Sequence, residues 1–203
     1  MRIVATLVLL GALIVPAAAE EVRDTSFRGA DGHRVQQITA VIPAPVARVW
    51  WAFTTDAGFA SWAVPVAHIT LANDGMMETS YRLDAKIGDL QNIRNQIVAY
   101  VPERLLVLRN VFVPKGAPFD LAFTSKIRTV FEFQDLGDGT TRVVESGVGY
   151  GEGKGYDDMY GHFQGGNRED VMSLIAMFRS GPIDWKAQAA RIEASVHKPA
   201  GNP

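Results

Sequence analysis

Along the chain the spacing of apolar positions switches between a period of two and a helical period, and each switch marks an element. Arg34 to Ile42 (RVQQITAVI) is β-branched and unbroken, which predicts a strand. The Asp31-Gly32 turn before it can fold Ser26-Phe27-Arg28 back as a short hairpin partner. Pro43-Ala44-Pro45 stops that strand. Val46, Val49, Trp50 and Phe53 then recur at i, i+3, i+4 and i+7, one face of a helix with Pro45 at its first turn, where a missing N–H costs nothing. A second short helix is predicted over Asp56 to Ala60, ahead of Ser61-Trp62-Ala63-Val64-Pro65.

The middle of the chain reads as strands separated by turn signals. Val66 to Leu71 is followed by Asn73-Asp74-Gly75, a hairpin signal. Met77, Thr79, Tyr81 and Leu83 then alternate with Glu78, Ser80 and Arg82, giving one buried and one wet face. Ile93 to Val101 and Leu105 to Val113 flank Pro102-Glu103-Arg104. Pro114 to Ser125, with Pro118, Phe119, Leu121 and Phe123, is too long and too apolar for a tight turn and suits a lid or rim. Ile127, Thr129, Phe131 and Phe133 alternate with polar or outward positions, and Asp135 to Gly139 turns the chain into a last strand, Thr140 to Val148.

After Gly155 the period becomes helical again. Tyr156, Tyr160, Phe163, Asn167, Val171, Leu174 and Phe178 step by three or four and form a stripe that Gly181-Pro182 ends. Gly165-Gly166 is a candidate break, since Asn167 with Asp170 three residues on can cap a second helix. Ala187 to Ser195 predicts a further helical turn or two within a tail from 183 to 203.

The first residues are an address rather than part of the fold. Met1-Arg2 is positive, Ile3 to Val15 is uncharged and almost wholly apolar, and Ala17-Ala18-Ala19 supplies small residues before Glu20-Glu21. This predicts a secretory signal over 1–19, cleaved after Ala19, and a periplasmic or secreted protein. The apolar run is about 20 Å long as a helix, short of a hydrocarbon core of roughly 30 Å, so no permanent membrane span is expected after cleavage. Removing 19 of the 203 residues leaves 184, read as one domain over 20–203 with its core at about 34–180.

Composition narrows the chemistry. The chain has no cysteine, which excludes disulfides, thiolate metal sites and a cysteine nucleophile. Lys and Arg number 20 against 22 Asp and Glu, a net charge of −2 that leaves no broad basic field, so nucleic acid is not an expected partner. The four histidines, at 33, 68, 162 and 197, show no metal-ligand spacing, and neither a metal nor a cofactor is expected. The glycines at 147, 149, 151, 153 and 155 superficially suggest a phosphate loop, but Lys154 is followed by Gly155 and Tyr156 rather than Ser or Thr. They read instead as a strand-to-helix crossover in which backbone packs closely.

Ile42-Pro43-Ala44-Pro45-Val46-Ala47-Arg48-Val49-Trp50, Trp62 with Pro65, Gly75, Val101-Pro102-Glu103-Arg104-Leu105, Gly139-Thr140-Thr141-Arg142-Val143 and His162-Phe163 with Gly166 occur in an order that resembles the SRPBCC superfamily, the START-like helix-grip fold. Within it they are most similar to the branch named for the C-terminal domain of the Hsp90 ATPase activator. The resemblance covers about residues 34 to 180. It implies an α+β fold of one strand, two short helices, six strands and a long helix, in which a curved antiparallel sheet grips the C-terminal helix. It also implies a cavity between them, often for an apolar or aromatic small molecule. Two departures stand out. Asn167 follows Gly166 where many relatives carry Trp, and the leader argues against a cytosolic co-chaperone role.

If that fold holds, Tyr81, Asn95, Thr129, Phe131 and Phe133 from strands and Tyr160, Phe163 and Asn167 from the helix face the cavity, with Trp62 near its mouth. Such a set is mostly apolar with a few placed polar groups, as in small-molecule sites; the alternative is that the aromatics fill a solid core. Asp158 and His162, spaced i, i+4, are candidates for an oriented imidazole, and Tyr160 or Tyr81 for a proton donor; the alternative for the pair is a solvated surface contact. The leading expectation is non-catalytic binding of a small hydrophobic molecule. The alternatives are a cyclase- or hydratase-like enzyme using acid–base groups in the same pocket, and a protein-binding module.

Overall fold

The structure, a computed structural model, describes residues 22–196. The leader assigned to 1–19 and the last residues from His197 lie outside the described residues.

Nine strands form one antiparallel sheet. The chain enters through β1 (Val22–Asp24) and β2 (Phe27–Arg28), both paired to β3 (Arg34–Ile42), and leaves the sheet through α1 (Val46–Thr54) and α2 (Asp56–Ala60). It then returns at the opposite edge as a meander: β4 (Val66–Ile69), β5 (Met76–Ser80), β6 (Ile93–Val101), β7 (Leu105–Phe112), β8 (Arg128–Asp135) and β9 (Thr141–Tyr150). The short helix α3 (Leu121–Thr124) interrupts the long β7–β8 connection. Because β9 pairs with β3, the sheet order is β1-β3-β9-β8-β7-β6-β5-β4, and the meander closes back on the first long strand. The long helix α4 (Lys154–Ser180) packs on β1, β3 and β9, and α5 (Trp185–Val196) ends the described chain. The expected order of one strand, two helices, six strands and a long helix is present.

Local chemistry accounts for the boundaries. Thr55 caps α2 by accepting from Gly58 N through its hydroxyl at 3.0 Å, and Asp120 caps α3 by accepting from Ala122 N at 2.7 Å. α4 runs unbroken through Gly165-Gly166. Two mid-helix glycines cost about 1 kcal/mol each relative to alanine. Burial of Met159 on one side and of Val171, Leu174 and Ile175 on the other anchors the helix across them. The glycine-rich crossover is a place of close approach. Gly149 has φ 102, and a Cβ there would meet Lys126 O at 2.5 Å, while one on Gly155 would meet the Phe123 ring at 2.8 Å.

Two expectations need correction. The strand placed over Met77 to Leu83 ends at Ser80, because β6 begins opposite Thr79 and offers no partner beyond it. Tyr81 therefore leaves the sheet and is 67% exposed. The helical turn or two expected over Ala187 to Ser195 is longer, α5 from Trp185 to Val196, and its start is tied down. Ile183 N donates to Ser61 O at 2.9 Å and the Trp185 indole N–H donates to Ala60 O at 2.6 Å, which ties α5 to the end of α2.

The core has two parts. The larger lies under α1 and the C-terminal half of α4, where Phe53 meets Trp62, Phe131 and Phe133 at ring distances of 5.0, 4.9 and 5.1 Å. The smaller, Ile127, Tyr150 and Met159 with Phe119, Tyr156, Tyr160 and Phe163, lies under the N-terminal half.

Candidate functional site

Between these two clusters the inner face of the sheet is not filled. A cavity of about 500 Å³ remains, bounded by β5 to β9, α4, the α2 end and the Pro114–Thr124 segment. Phe53, Phe59, Trp62, Phe119, Phe131 and Phe163 give it aromatic walls, and Tyr81, Arg82 and Gln91, all exposed, mark its open side. Its volume is within the range of small-molecule sites.

Trp62, Asn95, Thr129, Phe131, Phe163 and Asn167 line this cavity, whereas Tyr81, expected to point inward from a strand, reaches it from outside the sheet at the exposed rim. Phe133 and Tyr160 do not. Phe133 is 5% exposed and packs edge-on against Trp50 at 5.4 Å, because α1 covers that end of β8. Tyr160 packs against Tyr150 at 5.0 Å with the Arg34 guanidinium over its ring, which occupies it in the smaller core cluster. The Asp158–His162 pairing is not formed. Asp158 takes the Lys154 ammonium through both oxygens at 2.8 and 2.6 Å, while His162 lines the cavity edge against Phe119 at 5.1 Å.

The polar wall is built from two networks. Gln36, 1% exposed, accepts at Oε1 from the Tyr150 hydroxyl at 3.1 Å and from Asn167 Nδ2 at 3.3 Å, and donates from Nε2 to Tyr160 O at 3.2 Å. Asn167 is thus turned to the sheet and joins α4 to β3. Burial, then Tyr160 and Glu145, pushes the Tyr150 phenol strongly up, so it stays a neutral donor. On the other wall the Thr124 hydroxyl donates to Asn110 Oδ1 at 3.0 Å, and Asn110 Nδ2 donates to Asn95 Oδ1 at 2.9 Å. That chain ties α3, in the expected lid, to β7 and β6.

Two carboxyls complete the site, and neither was among the sequence candidates. Glu145 on β9 is 7% exposed and stands between Ile38 of β3 and Phe131 of β8 in the cross-strand register. Burial, with the charge of Asp170 adding to it, pushes its carboxyl up to about 8. Asp170 on α4 lies at the exposed rim of the same cavity, where desolvation by the surrounding side chains together with Glu169 raises it to about 6. The signal for Glu145 was its phase: Thr141 and Val143 face inward, so Glu145 must as well. Asp170 falls beside the inward stripe, next to buried Val171, and is itself exposed at the cavity's open side.

Residues 43–178 match the family model of activator of Hsp90 ATPase homolog 1-like protein. The chain belongs to this family. Among solved structures it is similar to the Aha1 dimer from Colwellia psychrerythraea, at 14% identity and a TM-score of 0.57 over 72% of this chain and 97% of that one. It is also similar to CalU16 from Micromonospora echinospora, at 20% identity and a TM-score of 0.53 over 89% and 99%. A third is MLL2253 from Mesorhizobium loti, at 17% identity and a TM-score of 0.54 over 72% and 99%. These likenesses carry the helix-grip fold. Comparison with curated proteins gives no match.

Proposed function

We propose that this protein, a member of the family of activator of Hsp90 ATPase homolog 1-like protein, is exported and holds a small hydrophobic or aromatic molecule between its sheet and α4 without transforming it. The observation that carries this reading is the aromatic-walled space of about 500 Å³. A core of this size ordinarily closes such a space, since packed interiors keep few voids larger than a water molecule. Export rests on the order of charge, apolar run and small residues in 1–19. Among the described residues no helix is long and apolar enough to cross a membrane.

Native mass spectrometry of the protein purified from its own exported fraction, followed by organic extraction, tests the reading. A reproducible apolar adduct of a few hundred daltons supports it. Absence of any adduct, together with failure to take up a neutral apolar probe, overturns it.

Glu145 and Asp170 favour a second reading, acid–base chemistry on the bound molecule. Near neutral pH one is mostly protonated and the other mostly ionised, the state in which an acid and a base work together. Incubating the extracted molecule with fresh protein distinguishes the two. A mass change that is lost in Glu145→Gln makes the protein an enzyme, and unchanged molecule keeps it a binding protein.

A further inference from the structure

The sheet buries two glutamates and treats them in opposite ways. Glu78, 8% exposed, accepts from Gly88 N at 2.6 Å, Asn92 Nδ2 at 2.6 Å and Arg94 Nε at 3.3 Å. Burial alone would raise its carboxyl, but these partners together hold it below the usual range. Glu145, 7% exposed, has no hydrogen-bonding or ion-pairing partner among the described residues, and its side chain forms part of the cavity wall. A buried carboxyl is ordinarily paired, because its desolvation is otherwise uncompensated.

The cavity supplies a second carboxyl, Asp170, and among the described residues no guanidinium or ammonium is paired with either one. Arg82 is the arginine of the wall, and Asp84 at the surface takes it through two hydrogen bonds, at 3.2 and 2.9 Å. A metal ion does not fit the deficit, since no group of three potential ligands occurs among the described residues. What does fit is a cation carried by the bound molecule itself. The faces of Phe53, Trp62, Phe131 and Phe163 accommodate an apolar body, and aromatic faces also favour a nearby cation.

We propose that the cavity is selective for an apolar or aromatic amine, whose protonated nitrogen is held by Glu145 with Asp170 as the second negative group. This rests on the binding reading above and names the class of molecule. In the empty cavity Glu145 is mostly protonated at neutral pH, so an arriving ammonium ionises it and expels a proton. The other charged or titratable groups facing it are Asp170 and His162 from α4, Tyr150 from β9, and Tyr81 and Arg82 from the segment after β5, with Glu169 behind Asp170.

The test compares two isosteric probes by isothermal titration calorimetry at neutral pH: 1-naphthylmethylamine, cationic, and 1-naphthylmethanol, neutral. The amine binds at least ~10-fold more tightly to the native protein. In Glu145→Gln that preference falls to within about 3-fold, and an unchanged far-ultraviolet circular dichroism spectrum with a cooperative melt shows that the variant is folded. Amine binding releases close to one proton, so the observed heat differs between phosphate and Tris buffers. An alcohol that binds as well as the amine, or a preference that survives Glu145→Gln, overturns the inference and leaves the binding reading standing. If neither probe binds, nor the neutral dye N-phenyl-1-naphthylamine, the binding reading itself fails.

Discussion

Glu145 on β9 stands directly across the ladder from Phe131 on β8. One position of the inner face is thus ionisable, and its neighbour stacks on Phe53 at 4.9 Å in the main core. Stability and recognition are coupled at that point.

Stability should therefore depend on pH in an unusual direction. Glu145 is raised in the folded state from an ordinary value of 4.5 to about 8, so the folded protein binds this proton more tightly than the unfolded chain. The contribution is fully present below about pH 4.5, declines as pH rises and is gone above about 8. At ~1.4 kcal/mol per pKa unit it is on the order of several kcal/mol, and Asp170 adds to the decline only up to about pH 6. Thermal melts should show the native protein losing stability from pH 5 to 8, whereas Glu145→Gln stays nearly level over that interval. Parallel curves would remove Glu145 as the cause.

Phe53 joins α1 to both the sheet and the cavity wall. It is 1% exposed and meets Trp62, Phe131 and Phe133. Phe53→Ala should cost about 3–5 kcal/mol in urea unfolding, with the m-value unchanged. A loss below ~1 kcal/mol would mean that the aromatic cluster is looser than described.

Gln36 is a buried junction between β3, β9 and α4. Gln36→Leu leaves the Tyr150 hydroxyl, Asn167 Nδ2 and Tyr160 O without this partner. Unpaired buried groups cost about 1–3 kcal/mol each, so a loss of at least ~2 kcal/mol is expected by denaturant titration. The larger effect should be on α4, read as faster amide exchange around Asn167. Unchanged exchange would show that the network does not anchor the helix.

The proposed leader over 1–19 makes its own prediction. Protein recovered from outside the cytoplasm should begin at Glu20, and intact-mass measurement checks this to the residue. A full-length chain with Met1 or Arg2 still attached in that fraction would contradict cleavage after Ala19.

Most of the architecture was legible because punctuation and period agreed. Pro43-Ala44-Pro45 and Pro102-Glu103-Arg104 bound elements whose observed edges, Ile42 and Val46, then Val101 and Leu105, adjoin them. Where reasoning stopped short, the decisive partners were distant in sequence. Continuity of α4 through Gly165-Gly166 depends on anchors in two core clusters, and the end of β5 depends on where β6 begins. Phe133 and Phe131 share one face of β8, and only the position of α1 separates a core residue from a wall residue. Glu145 escaped notice because it is a single polar residue in a face defined by its apolar members; phase placed it inward, but only the missing partner around it distinguishes it from Glu78. Asp170 escaped notice because it flanks the apolar stripe of α4 and reaches the cavity from its exposed side.

The account turns on whether the space between sheet and α4 receives a molecule. Fluorescence titration of N-phenyl-1-naphthylamine against the native protein and Thr129→Trp measures this most directly, since Thr129 lines the cavity and an indole there would fill much of it. The account predicts saturable single-site uptake with blue-shifted emission by the native protein, and its loss in the folded variant. No saturable uptake by the native protein, or equal uptake by both, would contradict it.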